Sequence, residues 1–161
     1  MEQHCGAYGP GNSRLNMGFW NEKSLGGLTT AEWESLCDGC GRCCLIKLED
    51  EESGELHYTA VACAELDLES CRCRHYDSRL ERVHDCIALS PGTLNDYAWL
   101  PATCAYRRIA AGEPLPSWHP LLSGHAGSVH ASGISVRNFA ISERDLEEDI
   151  DIEDYLLDAH P

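Results

Sequence analysis

The apolar positions of this chain come in short runs broken by glycine, proline and charge. Thr29 and Glu32 have capping-box spacing, and Trp33 with Leu36 supplies an apolar side, so the pattern predicts a helix from Thr30 to Leu36. The chain then turns through Cys37-Asp38-Gly39-Cys40-Gly41, where the two glycines permit positive φ. Leu45–Leu48 and Leu56–Val61 flank Glu51-Glu52-Ser53-Gly54 and read as a hairpin. From Cys63 to Cys86 the pattern is irregular, with one helical turn expected at Asp77–Leu80. Ser90-Pro91 is a good start for a helix over 91–98. Thr103–Ala111 reads as another helix, stopped by Gly112 and Pro114. Residues 115–127 form a loop-rich connector, and Val129–Ile141 reads as a strand pair bent at Ser132-Gly133.

Composition explains why these runs are short. Leu, Ile, Val and Phe make up 32 of the 161 residues, and the net charge is −15. That is the border at which too little apolar surface exists to offset the entropy of ordering the chain. A chain of this length makes roughly one domain, so something beyond apolar burial must help to hold it. No apolar run approaches the roughly 20 residues of a membrane helix. The N-terminus carries no apolar stretch behind a basic end, so a cytoplasmic location is expected. The acidic balance argues against a nucleic-acid partner, which wants a basic face.

Three regions follow. Residues 1–17 are Gly-rich and polar, a flexible arm or an over-long start. Residues 18–142 hold the expected domain. In 143–161 nine Asp or Glu face Arg144 alone. This last segment is either a solvated acidic tail or, through Ile150, Ile152, Tyr155, Leu156 and Leu157, a docked helix, and it would suit a basic protein partner.

The ten cysteines change the picture most. Nine of them, Cys37 to Cys104, fall within 68 residues, and only Cys5 lies outside. Without an export signal, so dense a set points to metal rather than to disulfides. In Cys37-x-x-Cys40-x-x-Cys43-Cys44, two residues between thiols let the backbone curl so that successive sulfurs approach one centre. The spacing suits a zinc knuckle and equally the first three ligands of a ferredoxin-type iron–sulfur cluster. Triple spacing of this kind is commoner in iron–sulfur sites, a slight lean in that direction. Side chains of adjacent residues diverge, so Cys43 and Cys44 serve different centres, or one of them is a buried packing thiol. Downstream stand Cys63, Cys71, Cys73, Cys86 and Cys104. Eight thiols would fill two four-ligand centres with one to spare; a single centre among ordinary buried cysteines is the alternative.

These residues resemble the bacterial CxxCxxCC cysteine-cluster family, in its YcgN-type branch. The likeness rests on Cys37-Asp-Gly-Cys40-Gly-Arg-Cys43-Cys44, Cys63, Cys73-Arg-His-Tyr76-Asp-Ser-Arg79 and Cys86. It continues through Trp33-Glu34-Ser35-Leu36, Trp99-Leu100-Pro101, Thr103-Cys104-Ala105-Tyr106-Arg107 and Trp118-His119-Pro120-Leu121-Leu122, covering about residues 19–142. The resemblance implies a zinc- or iron-chelating domain of unassigned biochemical role. It favours Cys73 over Cys71, giving Cys37, Cys40, Cys43, Cys44, Cys63, Cys73, Cys86 and Cys104 as metal ligands with Cys71 in reserve. Leu80 stands where the family often has proline.

Among the other side chains, Arg79 is expected to stabilise sulfur charge from outside the ligand set, the alternative for it and for Arg72, Arg74 and Arg82 being surface pairing with Glu69, Asp77 and Glu81. His119 is expected near the metal, or else as a packed, hydrogen-bonded histidine; His75 carries the same two readings. No phosphate loop, dinucleotide fingerprint or nucleophile elbow occurs. The sequence therefore predicts a small, irregular, metal-stabilised single α+β domain with short helices and one or two β-hairpins. Its function is metal binding through thiolates, iron–sulfur or zinc. A metal-dependent protein-modifying or redox enzyme, which the wider group's likeness to part of the flagellin lysine methylases implies, is one alternative. A zinc-stabilised protein-interaction module is the other.

Overall fold

The computed structural model describes residues 18–158. The N-terminal arm with Cys5 lies outside the described residues. Six short helices carry the helical content: α1 Phe19–Glu22, α2 Thr30–Ser35, α3 Arg79–Arg82, α4 Ala105–Ala110, α5 Pro120–Ser123 and α6 Ser128–Ala131. Five strands accompany them: β1 Leu45–Glu49, β2 Leu56–Ala62, β3 Leu66–Asp67, β4 Arg72–Cys73 and β5 Ile141–Ser142. The result is the small α+β domain that the sequence predicts. No helix among the described residues is long and apolar enough to cross a membrane.

Local chemistry sets several of these elements. Helix α2 starts in the expected capping box: Glu32 N–H donates to Thr29 Oγ1 at 3.2 Å while Thr29 N–H donates to Glu32 Oε2 at 2.8 Å. Strands β1 and β2 form the expected antiparallel hairpin. Its turn is held by Asp50 Oδ1, which accepts from the Ser53 N–H at 2.7 Å, and Gly54 takes φ +70°. Strand β5 joins β2 in parallel, giving the order β1-β2-β5, and β3-β4 make a second small hairpin.

The apolar residues divide into two cores rather than one. The first gathers Trp20, Leu36, Leu94, Leu100, Ala105, Tyr106 and Leu115 from the helical side, with Cys43 and Cys104 packed against it. The second gathers Leu45, Tyr58, Ala62, Leu66, Cys71 and Val136 around the sheet, with Cys44 packed against it. Trp99 touches both. Tyr58 ties them further by donating its hydroxyl to the Trp99 carbonyl at 2.5 Å.

Three segments depart from the expected elements. The strand pair over 129–141 is instead α6 followed by a 3-10 turn, Val136–Asn138, and only Ile141–Ser142 is extended. Tertiary bonding decides this: Val129 and Val136 are fully buried, and Val136 N–H is drawn to the Cys40 carbonyl at 2.9 Å. The helix over 91–98 shrinks to a 3-10 turn, Leu94–Tyr97. There Thr93 Oγ1 accepts the Ser90 N–H at 3.1 Å and closes a tight turn across Pro91. The acidic segment does dock, but not as an α-helix. A 3-10 turn, Ile152–Tyr155, leads into a bridge between Leu156 and Thr59, and Leu157 N–H donates to the Tyr58 carbonyl at 2.8 Å.

The docked segment adds backbone bonds and one apolar side chain, Leu157, to the second core, together worth about 2 kcal/mol. Deleting residues 143–161 is expected to lower the thermal midpoint by about 4–8 °C while leaving the metal bound per chain unchanged. Differential scanning calorimetry and metal analysis of the truncated chain check both halves.

Candidate metal centre

The cysteine turn is built on the end of α2. Leu36 is fully buried, and its carbonyl receives the Nε2–H of the equally buried His119 at 3.0 Å. His119 Nδ1 accepts the Leu121 N–H at 3.1 Å. Both ring nitrogens are thus engaged, and His119 fixes the backbone one residue before Cys37. Beyond it, Asp38 Oδ1 accepts the Cys40 N–H at 2.9 Å. Gly39 and Gly41 take φ +75° and +74°. Gly41 has a second constraint, since a Cβ there would stand 2.8 Å from Val136 Cγ2. Residues Arg42–Cys44 then form a 3-10 turn, pinned by Arg42 Nε donating to the Ile134 carbonyl at 2.5 Å.

That turn sends Cys43 and Cys44 to different cores. Cys40 and Cys104 act electrostatically on or with Cys43, and so does Cys37. Cys44 is linked with Cys63 and Cys86, and Cys86 with Cys63 and Cys73. Cys63 is also tied to Cys44 through its N–H, which donates to the Cys44 carbonyl at 2.9 Å. Electrostatics thus ties Cys37, Cys40 and Cys104 to Cys43, a first group, and Cys63 and Cys86, with Cys73 acting on Cys86, to Cys44, a second group, and the two meet at the adjacent pair. Cys71 stands apart: it is buried in the second core with φ +53°, and its sulfur faces the Leu68 carbonyl at 3.7 Å. All nine described cysteines are free.

As they stand, no three His, Cys, Asp or Glu side chains among the described residues are drawn together closely enough to hold a metal ion. Burial pushes Cys104 up to about 11. Burial, then Asp38 and Cys43, push Cys40 well up. The donor chemistry nonetheless fits a thiophilic cation, which replaces those protons and draws the sulfurs in. Between the groups, the adjacent thiols bias each other, Cys44 upward and Cys43 downward to about 7, with Lys47 further favouring the Cys43 thiolate.

Cations surround the sulfurs. Arg79 lies where it favours the Cys86 thiolate, with its guanidinium over the Tyr76 ring at 3.9 Å and Nη1 donating to the Tyr76 carbonyl at 2.7 Å. Arg74 instead pairs with Asp67 at 3.2 Å, and Arg82 donates to Ser78 Oγ. His75 is exposed and pairs with Glu65. Lys47 and Asp38 escaped the sequence reading, and Arg72 is read there as a surface arginine. Lys47 is half-buried, donates to the Cys43 and Leu45 carbonyls at 2.9 and 2.6 Å, sits 4.2 Å from the Trp99 ring centre, and faces Cys43, Cys44 and Cys63. Arg72 favours the Cys37 thiolate and lies against Gly39. Asp38 is buried within the first group. The signal for Asp38 was its place inside the C-x-x-C; for Lys47 it was a position four residues after Cys43.

The model of the CxxCxxCC family, described as "Putative zinc- or iron-chelating domain", matches residues 36–105. Similar proteins include the UPF0260 protein YcgN of Salmonella paratyphi A, 51% identical over 139 residues that span 86% of this chain and 92% of the relative. The proteins of the same name from Salmonella newport and Salmonella heidelberg are likewise 51% identical, over 86% of this chain and 89% of theirs. No solved structure matches the chain. With half its residues shared along nearly the whole length of such relatives, and with the cysteine-rich segment matching the family domain, the chain belongs to the YcgN-type UPF0260 family of CxxCxxCC proteins.

Proposed function

We propose that this protein binds two thiolate-held metal centres, one on Cys37, Cys40, Cys43 and Cys104 and one on Cys44, Cys63, Cys73 and Cys86, in a reducing compartment such as the cytoplasm. The reading is supported by the separation of Cys43 and Cys44 into different cores and by the electrostatic ties of Cys37, Cys40 and Cys104 to Cys43 and of Cys63 and Cys86 to Cys44. Each group then meets the usual requirement of zinc and of cubane iron–sulfur clusters for four protein ligands. Cys71 stays a packing thiol. Lys47, Arg72 and Arg79 offset the net negative charge that four thiolates leave on either kind of centre. His119 acts through the Leu36 carbonyl by holding the turn, and not by offering a lone pair.

Of the two metals, the reading leans to iron–sulfur on the triple C-x-x-C-x-x-C spacing. Anaerobically purified protein is then brown and holds acid-labile sulfide. Cys40→Ser and Cys63→Ser each remove about half of the metal and colour, one centre apiece. A colourless preparation with two zinc ions and no sulfide would assign both groups to zinc instead.

Metal also substitutes for missing core. A structural zinc site contributes on the order of 10 kcal/mol to folding, comparable with the net stability of a domain. Chelation at neutral pH is expected to unfold residues 37–104, read by circular dichroism and limited proteolysis. Because burial holds Cys40 and Cys104 as thiols at pH 7, metal must displace their protons. Apparent affinity therefore rises with pH, about tenfold per unit for each proton released. Metal competition titrations between pH 6 and 8 measure that slope.

A further inference from the structure

Among the described residues, Arg72 is the one arginine or lysine whose side chain makes no hydrogen bond or ion pair. The others hold carbonyls, hydroxyls or carboxylates. With 27 acidic residues in the chain, a guanidinium that meets none of them has been kept for something else. Arg72 lines a cleft of about 420 Å³ together with Arg137, His130, Ser70, Asp38 and Gly39. Each cation there is held by something other than an acid. A Cβ on Gly39 would stand 3.0 Å from Arg72 Nη2 and 3.1 Å from its Cζ, so the missing side chain is the room in which the guanidinium lies. Arg137 donates Nε–H to the Glu69 carbonyl at 2.6 Å and Nη2–H to the same oxygen, which leaves Nη1 uncommitted. His130 Nδ1 is tied to Ser135 Oγ at 2.8 Å, and its Nε2 has no partner among the described residues. Strand β4, helix α6 and the 3-10 turn after it thus bring two guanidiniums and an imidazole to one opening. Both arginines are exposed there.

We infer that this cleft binds the phosphoryl group of a small phosphate monoester. A guanidinium donates in a planar fork suited to phosphate oxygens, and Arg72 has its whole fork to give. Arg137 Nη1 and His130 Nε2 add donors already fixed by their other bonds, so little ordering remains to be done on binding. The volume lies within the roughly 300–1,000 Å³ of small-molecule sites. It leaves space for an organic remainder beside Ala126 and Gly127, which carry no bulky side chain. Asp38 also borders the cleft but is only 5% exposed, with Oδ1 on the Cys40 N–H. Its charge offsets one of the two arginines, so the cleft matches one anionic group and not a chain of them. A polyanion would further meet the −15 net charge of the whole protein. No thiol lines the cleft, and the inference stands apart from the two-centre reading.

The test is isothermal titration calorimetry of the full chain as purified anaerobically, at low ionic strength because salt screens exposed charges. The probes are glycerol phosphate, inorganic phosphate and glycerate, the last a carboxylate of similar size. Glycerol phosphate should bind saturably at one site per chain, more tightly than inorganic phosphate and far more tightly than glycerate. Arg137→Gln should weaken it about tenfold or more, the loss expected for a hydrogen bond to a charged group, and His130→Gln by less. Both variants should keep the metal content of the wild type. Arg82→Gln removes a cation that holds Ser78 Oγ instead of lining the cleft, and its affinity should equal that of the wild type. Should Arg137→Gln fail to fold, His130→Gln against Arg82→Gln carries the same comparison. Absence of saturable binding overturns the inference, as does an equal loss in Arg82→Gln and the cleft variants, which would mean attraction to overall charge alone. Glycerate binding as tightly as glycerol phosphate overturns the phosphoryl assignment, and inorganic phosphate binding as tightly overturns the monoester.

Discussion

The divergence of two neighbouring side chains organises this molecule. Cys43 and Cys44 share a peptide bond, so they cannot point the same way, and the 3-10 turn that carries them lies where the two cores meet. One thiol therefore belongs with α2 and α4, the other with the sheet. Everything around the turn serves to hold it. His119 grips the Leu36 carbonyl, Val136 N–H takes the Cys40 carbonyl, Arg42 reaches the Ile134 carbonyl, and Cys63 N–H takes the Cys44 carbonyl. These partners come from three separate parts of the chain, around Cys63, His119 and Ile134–Val136, so a short motif is fixed by long-range bonds.

Electrostatics gives the same site its second constraint. A chain of net charge −15 is a poor host for thiolates unless cations are brought to them. Lys47, Arg72 and Arg79 stand beside sulfurs, while Arg74 and Arg144 remain outside in carboxylate pairs. Lys47 spends its ammonium on two carbonyls and an aromatic face, which keeps a half-buried charge solvated by protein atoms. The acidic last segment lies across the sheet on Tyr58 and Thr59, so its charge follows from the exposed face of that segment and its apolar positions from the docked one.

Elements governed by neighbours in sequence were legible; those governed by distant partners were not. The capping box of α2, the glycine turn and the β1-β2 hairpin each carry their own local chemistry, and each forms where the pattern puts it. Residues 129–141 alternate well enough for strands, yet Val129 and Val136 are claimed by different contacts, and the Cys40 carbonyl captures Val136 N–H. The thiol set was visible because spacing alone marks it. The parting of Cys43 from Cys44 was expected from their adjacency, but which core each meets was not, since that depends on distant partners. Lys47 was hidden for a related reason: a lysine in a half-exposed strand reads as solvated until Trp99, 52 residues later, is folded over it.

The two small cores also explain why metal and fold belong together here. Neither cluster is large, and the residues joining them are few: Trp99, Tyr58 and the cysteine turn. In many proteins that joint would be filled by branched aliphatic side chains, and this chain has only four valines. Thiols occupy it instead, and buried thiols alone bring only modest packing energy. Backbone hydrogen bonds to carbonyls of the motif also cross that joint. A cation at either group would convert loosely spaced neighbours into covalently linked ones across that joint, coupling the order of the helical core to that of the sheet.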